Sequence, residues 1–144
     1  MGARPDHAEW QGQVFYYKEP VEGYESFEEI TRYGHGDGLM GWNCRHSFSP
    51  FFKGISKRAF SDEDLKELKE HKVKYNGKEY TDYEASQLQR RMERNIRATK
   101  REMIAYDTAK MENEYTAAAV KLKKQEGKLN DFLMQTDRFE DRAE

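Results

Sequence analysis

The sequence predicts an α+β chain in which a small, loop-rich, aromatic N-terminal half with short strands is followed by an antiparallel helical hairpin. Glycine and aromatic residues crowd the first 60 positions, whereas residues 81–135 hold one glycine and no proline and consist mostly of good helix formers. At the junction, Asn76-Gly77 stands between two short β-prone arms, the sequence preferred for a two-residue hairpin turn.

Taken in order, Gln13-Val14-Phe15-Tyr16-Tyr17 is a β-prone run closed by Pro20. Gly34-His35-Gly36-Asp37-Gly38 is expected to be a loop, because glycine favours irregular backbone. Ser61-Asp62-Glu63-Asp64 starts a helix: Ser61 caps, Asp64 takes the third position, and the acidic first turn suits the helix dipole. That helix should run to about His71, and the hairpin should span Val73 to Tyr80. From Thr81, with Glu84 three residues on, the positions Leu88, Met92, Ile96, Thr99, Met103 and Tyr106 recur at helical spacing. Beyond a polar stretch near Asp107 to Asn113, the positions Tyr115, Ala118, Leu122, Gln125, Leu129 and Phe132 repeat the period. A second helix folding back on the first follows, with one long helix as the rival geometry. The expected segments are a compact core over residues 1–60, a connector helix and β-hairpin over 61–80, the helical hairpin over 81–135, and a polar tail over 136–144 expected to fray unless a longer protein continues it.

Hydrophobic and charged residues each make up 36% of the 144 residues, so the core must be thin; an aromatic content of 13% partly compensates. A net charge of −2 gives no general attraction to nucleic acid or an anionic membrane, so such contacts must be local. No apolar run reaches the ~18–20 residues of a membrane span, and no secretory or acylation signal opens the chain, Asp6 standing where an acylation signal needs Ser or Thr. Production in the cytoplasm is expected. Cys44, the single cysteine, has no internal disulfide partner.

The densest chemistry is Gly41-Trp42-Asn43-Cys44-Arg45-His46, with Arg4-Pro5-Asp6-His7-Ala8-Glu9-Trp10-Gln11-Gly12 upstream. One reading pairs Cys44 with His7 or His46 as nucleophile and base, with Asn43 or Gln11 orienting, which would make a Cys/His-dependent hydrolase or a nuclease-like toxin. A second makes Cys44, His46, His7 and His35 zinc ligands, since thiolate and imidazole suit that ion. The third, which the sequence favours, is scaffolding without a catalytic residue or cofactor. In it Trp10, Trp42 and Phe48 form a small core, Cys44 is a buried apolar residue, and Arg4, His7, Asn43, Arg45 and His46 hydrogen-bond loop backbone. No phosphate loop, dinucleotide fingerprint or paired-carboxylate pattern points to a small-molecule substrate.

Arg90, Arg94, Arg97 and Arg101, flanked by Arg91 and Lys100, form a basic stripe at helical spacing. It could meet DNA phosphates or an acidic protein patch. Its plainer reading is a solvated face paired with Glu84, Glu93 and Glu102 on the same helix and Glu114 and Glu126 on the next.

The Arg4–Phe15 block, the Gly38–Phe51 block containing Asn43-Cys44-Arg45, the runs Tyr80–Ala85 and Gln89–Arg97, then Lys100-Arg101 and Lys124-Gln125 to Phe132 resemble the phage minor capsid protein 2 family, itself related to Mu-type head morphogenesis proteins. The likeness covers nearly the whole chain. It departs at His46, where the related head proteins often carry a second cysteine, and members are normally longer, so the chain resembles their C-terminal part. The resemblance implies a virion protein of a bacteriophage or prophage, present in a few copies near the portal vertex. Its expected partners are portal or head proteins and packaged DNA, with roles in head assembly, packaging or ejection and no membrane partner. It implies no reaction. Trp10, Gly12, Trp42, Cys44 and His46 are then expected to maintain the fold, and Arg90, Arg94, Arg97 and Arg101 to form the binding face.

Overall fold

The computed structural model describes residues 3–139. It is an α+β structure of two compact units, with the boundary between His71 and Lys72. In the first unit the elements are α1 (Pro5–Ala8), β1 (Phe15–Tyr16), β2 (Glu25–Ser26), α2 (Phe27–Thr31) and α3 (Asp62–Glu70). The second holds β3 (Lys72–Tyr75), β4 (Lys78–Thr81), α4 (Asp82–Thr108) and α5 (Glu112–Thr136). The connector foreseen at 61–80 is therefore shared between the units: α3 falls in the first and the hairpin in the second.

Regular structure is sparse in the first unit. β1 and β2 pair in parallel over two residues each, Phe15 opposite Glu25 and Tyr16 opposite Ser26. Proline at the first position of α1 supplies the φ that a helix start needs. The Ser26 hydroxyl caps α2 by accepting from the Glu29 N–H. α3 carries the capping box read from its sequence: the Ser61 hydroxyl accepts from the Asp64 N–H, while the Asp64 carboxylate accepts from the backbone and hydroxyl of Ser61. Those two hydrogen bonds hold the Asp64 carboxyl below its usual pKa. The buried apolar residues are Trp10, Phe27 and Leu39, with Phe15 and Cys44 packed against them.

The aromatic core differs from the expected one. Trp10 is buried, but Trp42 is 76% exposed and Phe48 is also exposed. Phe48 still stacks on Phe27 at 4.8 Å between centroids, so it covers the core from outside. Trp42 lies against Gly36 instead, where an added Cβ would come within 2.8 Å of the indole.

The second unit follows the hydrophobic pattern closely. Asn76 and Gly77 both take positive φ, 49° and 76°, which gives the strands the twist of a primed two-residue turn. Val73 pairs with Tyr80, and the Tyr75 ring meets Phe132 of α5 edge-on at 5.0 Å. Thr81 and Glu84 form a second capping box at the start of α4. α4 then ends in a Schellman motif: Lys110 takes φ 59°, its N–H donates to Asp107, and the Met111 N–H donates to Tyr106. That turn reverses the chain, so two helices form in place of one long one. The ion pairs Lys100–Glu126 at 3.3 Å and Lys121–Glu102 at 2.9 Å then join antiparallel partners across the hairpin.

Leu88, Met92, Ile96, Thr99, Met103 and Tyr106 face inward or are half-buried, as the spacing predicts, and so are Ala118, Leu122, Gln125, Leu129 and Phe132; Tyr115 is exposed. The buried face of α4 also takes in Ser86, Gln89 and Glu93, which periodicity alone does not flag. The reason lies past α5, where residues 136–139 are tied down and not frayed. Thr136 is buried, Arg138 donates to Ser86 at 2.6 Å and to Gln89 at 3.2 Å, and Gln89 donates to the Phe139 carbonyl. The rest of the expected tail, 140–144, lies outside the described residues.

Phe132 is fully enclosed. Phe132→Ala should therefore cost about 3–5 kcal/mol of stability in the second unit, read from a urea titration of helical circular dichroism; a cost below about 1 kcal/mol would mean that the α5–hairpin contact is not the core of that unit.

Candidate metal centre and basic helix face

His7 sits on the single turn α1, which buries it to 2% exposure against Trp10, their ring centroids 4.7 Å apart. Cys44 and His46 arrive from a chain of tight turns spanning residues 31–44. In it the Leu39 N–H returns to the Thr31 carbonyl, Trp42 to Gly36, and Cys44 to Gly41. Two glycines are obligatory in this loop: a Cβ at Gly38 would lie 1.9 Å from the Arg32 carbonyl oxygen, and one at Gly41 would lie 2.3 Å from that of Gly36. Asn43 takes φ 57°, a left-handed conformation that asparagine tolerates better than most residues, and it aims the next residues back toward α1.

The result is a three-residue cluster. Nδ1 of His7 and Nδ1 of His46 stand 3.3 Å apart, while Cys44 Sγ is 3.4 Å from His46 Nδ1 and 3.8 Å from His7 Nδ1. On their outer sides, His7 Nε2 lies 3.1 Å from the Asp37 carbonyl and His46 Nε2 lies 3.2 Å from the Gln11 carboxamide oxygen. The Arg4 guanidinium donates to the same Asp37 carbonyl and reaches His7 Nε2. Burial, then the neighbouring His7 and Arg4, lower the pKa of His46 below the usual histidine value and favour its neutral form. Trp10 covers one side of the cluster, its ring 5.1 Å from that of His46.

Of the residues singled out in the sequence, Arg4, His7, Trp10, Cys44 and His46 come together here, and Gln11 joins them. His35 is exposed and does not join the group; Asn43 and Arg45 are exposed as well. Gly12 serves elsewhere: with φ 74° it turns the chain beneath α3, where a Cβ would fall 2.8 Å from Leu65 Cδ2. His7 meets loop backbone at the Asp37 carbonyl and Cys44 packs against the apolar core, as the scaffolding reading expects, whereas His46 meets the side chains of His7, Cys44 and Gln11 and not loop backbone. The spacing of Cys44 and His46 was visible in the sequence, but the contribution of the Asp37 carbonyl was not, because any residue type offers that acceptor.

The basic stripe lies on α4. Arg94, Arg97 and Arg101 are exposed, and among the described residues none of them enters an ion pair; Arg90 is half-buried and has an interaction partner. Of the five glutamates expected to neutralise the stripe, Glu114 is exposed and the other four have other partners. Glu84 closes the α4 capping box, Glu93 accepts from Gln89, Glu102 pairs with Lys121, and Glu126 pairs with Lys100.

A family model described as phage minor capsid protein 2 matches residues 1–134. The chain belongs to the phage minor capsid protein 2 family, and it is a phage structural protein. Neither the curated proteins nor the solved structures contain a significant match. Among the described residues no helix is long and apolar enough to cross a membrane.

Gly38→Ala should displace the 31–44 loop and release Cys44 from the cluster, so that a thiol reagent reacts with it faster than in the wild type while the circular dichroism of α4 and α5 is unchanged. An unaltered rate would mean that the glycine turns do not position the thiol.

Proposed function

We propose that the chain is a structural interaction module of the virion that docks through the cationic face of α4 on portal or head proteins, with packaged DNA as a second anionic partner, during head assembly, packaging or ejection. The observation that carries this reading is the set Arg94, Arg97 and Arg101, exposed on one face while Glu93, Glu102 and Glu126 have other partners. Arginine suits such a role, since its planar guanidinium binds phosphate and carboxylate through paired hydrogen bonds. Family membership supports the setting, and production in the cytoplasm of a bacterial host is part of the same reading. No aromatic side chain interleaves the three arginines, so stacking on single-stranded bases has no support.

A second reading rests on the cluster of the first unit. Cys44 Sγ beside His46 Nδ1, with Gln11 holding the far side of the ring, is also the arrangement of a thiol nucleophile, its base and an orienting amide. The second imidazole, that of His7 at 3.8 Å from the thiol against 3.4 Å for His46, has no task in such a pair, and the depressed pKa of His46 opposes the thiolate–imidazolium form.

Replacing Arg94, Arg97 and Arg101 together by Glu should abolish association with purified portal or head particles and with duplex DNA, leaving the helical circular dichroism intact. If all three arginines meet phosphates, the slope of log affinity against log salt in the wild type should include about −2.7 from them. Binding to both targets unchanged by the triple substitution would remove the docking face. Rapid turnover of an amide or ester substrate, lost in Cys44→Ala, would establish the second reading instead.

A further inference from the structure

We propose that His7, Cys44 and His46 bind a thiophilic divalent cation of the zinc type, through Nδ1 of each imidazole and the Cys44 thiolate. The spacing of the three donor atoms is the first support. A tetrahedral zinc ion with bonds of about 2.0–2.1 Å to nitrogen and about 2.3 Å to sulfur holds two nitrogens roughly 3.3–3.4 Å apart, and a nitrogen and a sulfur roughly 3.5–3.6 Å apart. The observed separations are 3.3 Å between the nitrogens and 3.4 and 3.8 Å from nitrogen to sulfur. They fit three vertices of one tetrahedron.

The outer hydrogen bonds are the second support. A metal-binding histidine characteristically donates its other ring N–H to a carbonyl or carboxylate, which fixes the ring and its tautomer. Here the Asp37 carbonyl stands at Nε2 of His7 and the Gln11 carboxamide oxygen at Nε2 of His46. The Gln11 oxygen favours the Nε2–H tautomer of His46, which leaves its Nδ1 lone pair facing Cys44 and His7. At His7 the Arg4 guanidinium, which can only donate, also reaches Nε2, so metal binding through Nδ1 places the ring proton on Nε2, directed at the Asp37 carbonyl. Loading requires the thiolate, so it transfers one proton from Cys44 to solvent and breaks no other bond.

Thiolate and imidazole select zinc-like ions over magnesium or calcium, which prefer oxygen. No fourth His, Cys, Asp or Glu among the described residues joins the group. Cys44 and His46 are only half-buried, so a water molecule can complete the tetrahedron. Held this way, the ion links α1 to a loop 37 residues further along the chain, in a unit whose buried apolar residues are Trp10, Phe27 and Leu39. It also gives His7 a purpose that a thiol–imidazole pair does not. The site is independent of the docking face on α4.

The test is titration of the full chain, stripped with a chelator, with cobalt(II) and then zinc(II). One cobalt per chain should bind with the visible spectrum of a tetrahedral site and a thiolate-to-cobalt charge-transfer band, and zinc should displace it. Zinc should also raise the melting temperature and slow alkylation of Cys44 at least about tenfold, because the coordinated thiolate is no longer free. Cys44→Ser should abolish the charge-transfer band, and His46→Gln should weaken cobalt binding at least about a hundredfold. Removal of the outer partner in Gln11→Ala should weaken it by about 10–100-fold. His35→Ala should bind as the wild type does. The wild-type titration stands whether or not every variant folds. A pale octahedral spectrum, equal alkylation with and without zinc, or a His35→Ala loss as large as that of His46→Gln would each overturn the site.

Discussion

A shortage of apolar side chains is the constraint on which both units depend. With 36% hydrophobic residues, neither unit fills its interior with hydrocarbon alone. Trp10, Phe27 and Leu39 are enclosed in one, and Tyr75, Ala85 and Phe132 in the other. Polar side chains complete both interiors, and most of them find a partner, because an orphaned buried donor or acceptor costs about 1–3 kcal/mol. Thr31 and Thr136 meet this by donating to carbonyls one turn back, at Phe27 and Phe132. Gln89 meets it by bridging Glu93 and the Phe139 carbonyl. Thr99 Oγ1 and Gln125 Oε1 are buried and have no protein partner among the described residues.

In the first unit the same constraint concentrates chemistry. A histidine buried to 2% cannot rest against a tryptophan alone, so the loop folds to bring the Asp37 carbonyl, Cys44 and His46 to its ring atoms. The glycines at 38 and 41 permit that approach, since no side chain fits where their hydrogens meet carbonyl oxygens. Burial of one imidazole thus dictates a loop conformation, and the loop delivers a second imidazole and a thiol to the same point.

The second unit uses its polar interior to secure its chain end. Arg138 reaches back to Ser86, Gln89 and Asp82, which commits the N-terminal half of the buried α4 face to polar contacts. Cross-hairpin ion pairs engage Glu102 and Glu126 with lysines. Arg94, Arg97 and Arg101 are left exposed, and among the described residues none of them enters an ion pair. A phage minor capsid protein with a net charge of −2 therefore still carries a concentrated cationic face.

What is encoded locally was legible in the sequence: the Asn76-Gly77 turn, the two capping boxes at Ser61 and Thr81, and the periodic stripes of α4 and α5 all depend on residues within a few positions of one another. The short helices α1 and α2 escaped notice, although Pro5 and the Ser26-Phe27-Glu28-Glu29 start carried their signals. Residue types alone could not decide whether Trp10 or Trp42 enters the core, because two indoles of equal hydrophobicity differ only in what the folded chain brings over them. Nor could they distinguish His46 from His35, since each stands near Cys44 in the chain and only one faces the thiol. The sequence by itself determined α3, α4, α5, the Asn76-Gly77 turn and the charge stripe through short-range hydrogen bonding and periodicity. The tertiary structure alone decided the cluster, because it joins position 7 to positions 44 and 46 through glycine turns and a backbone carbonyl that no local pattern specifies.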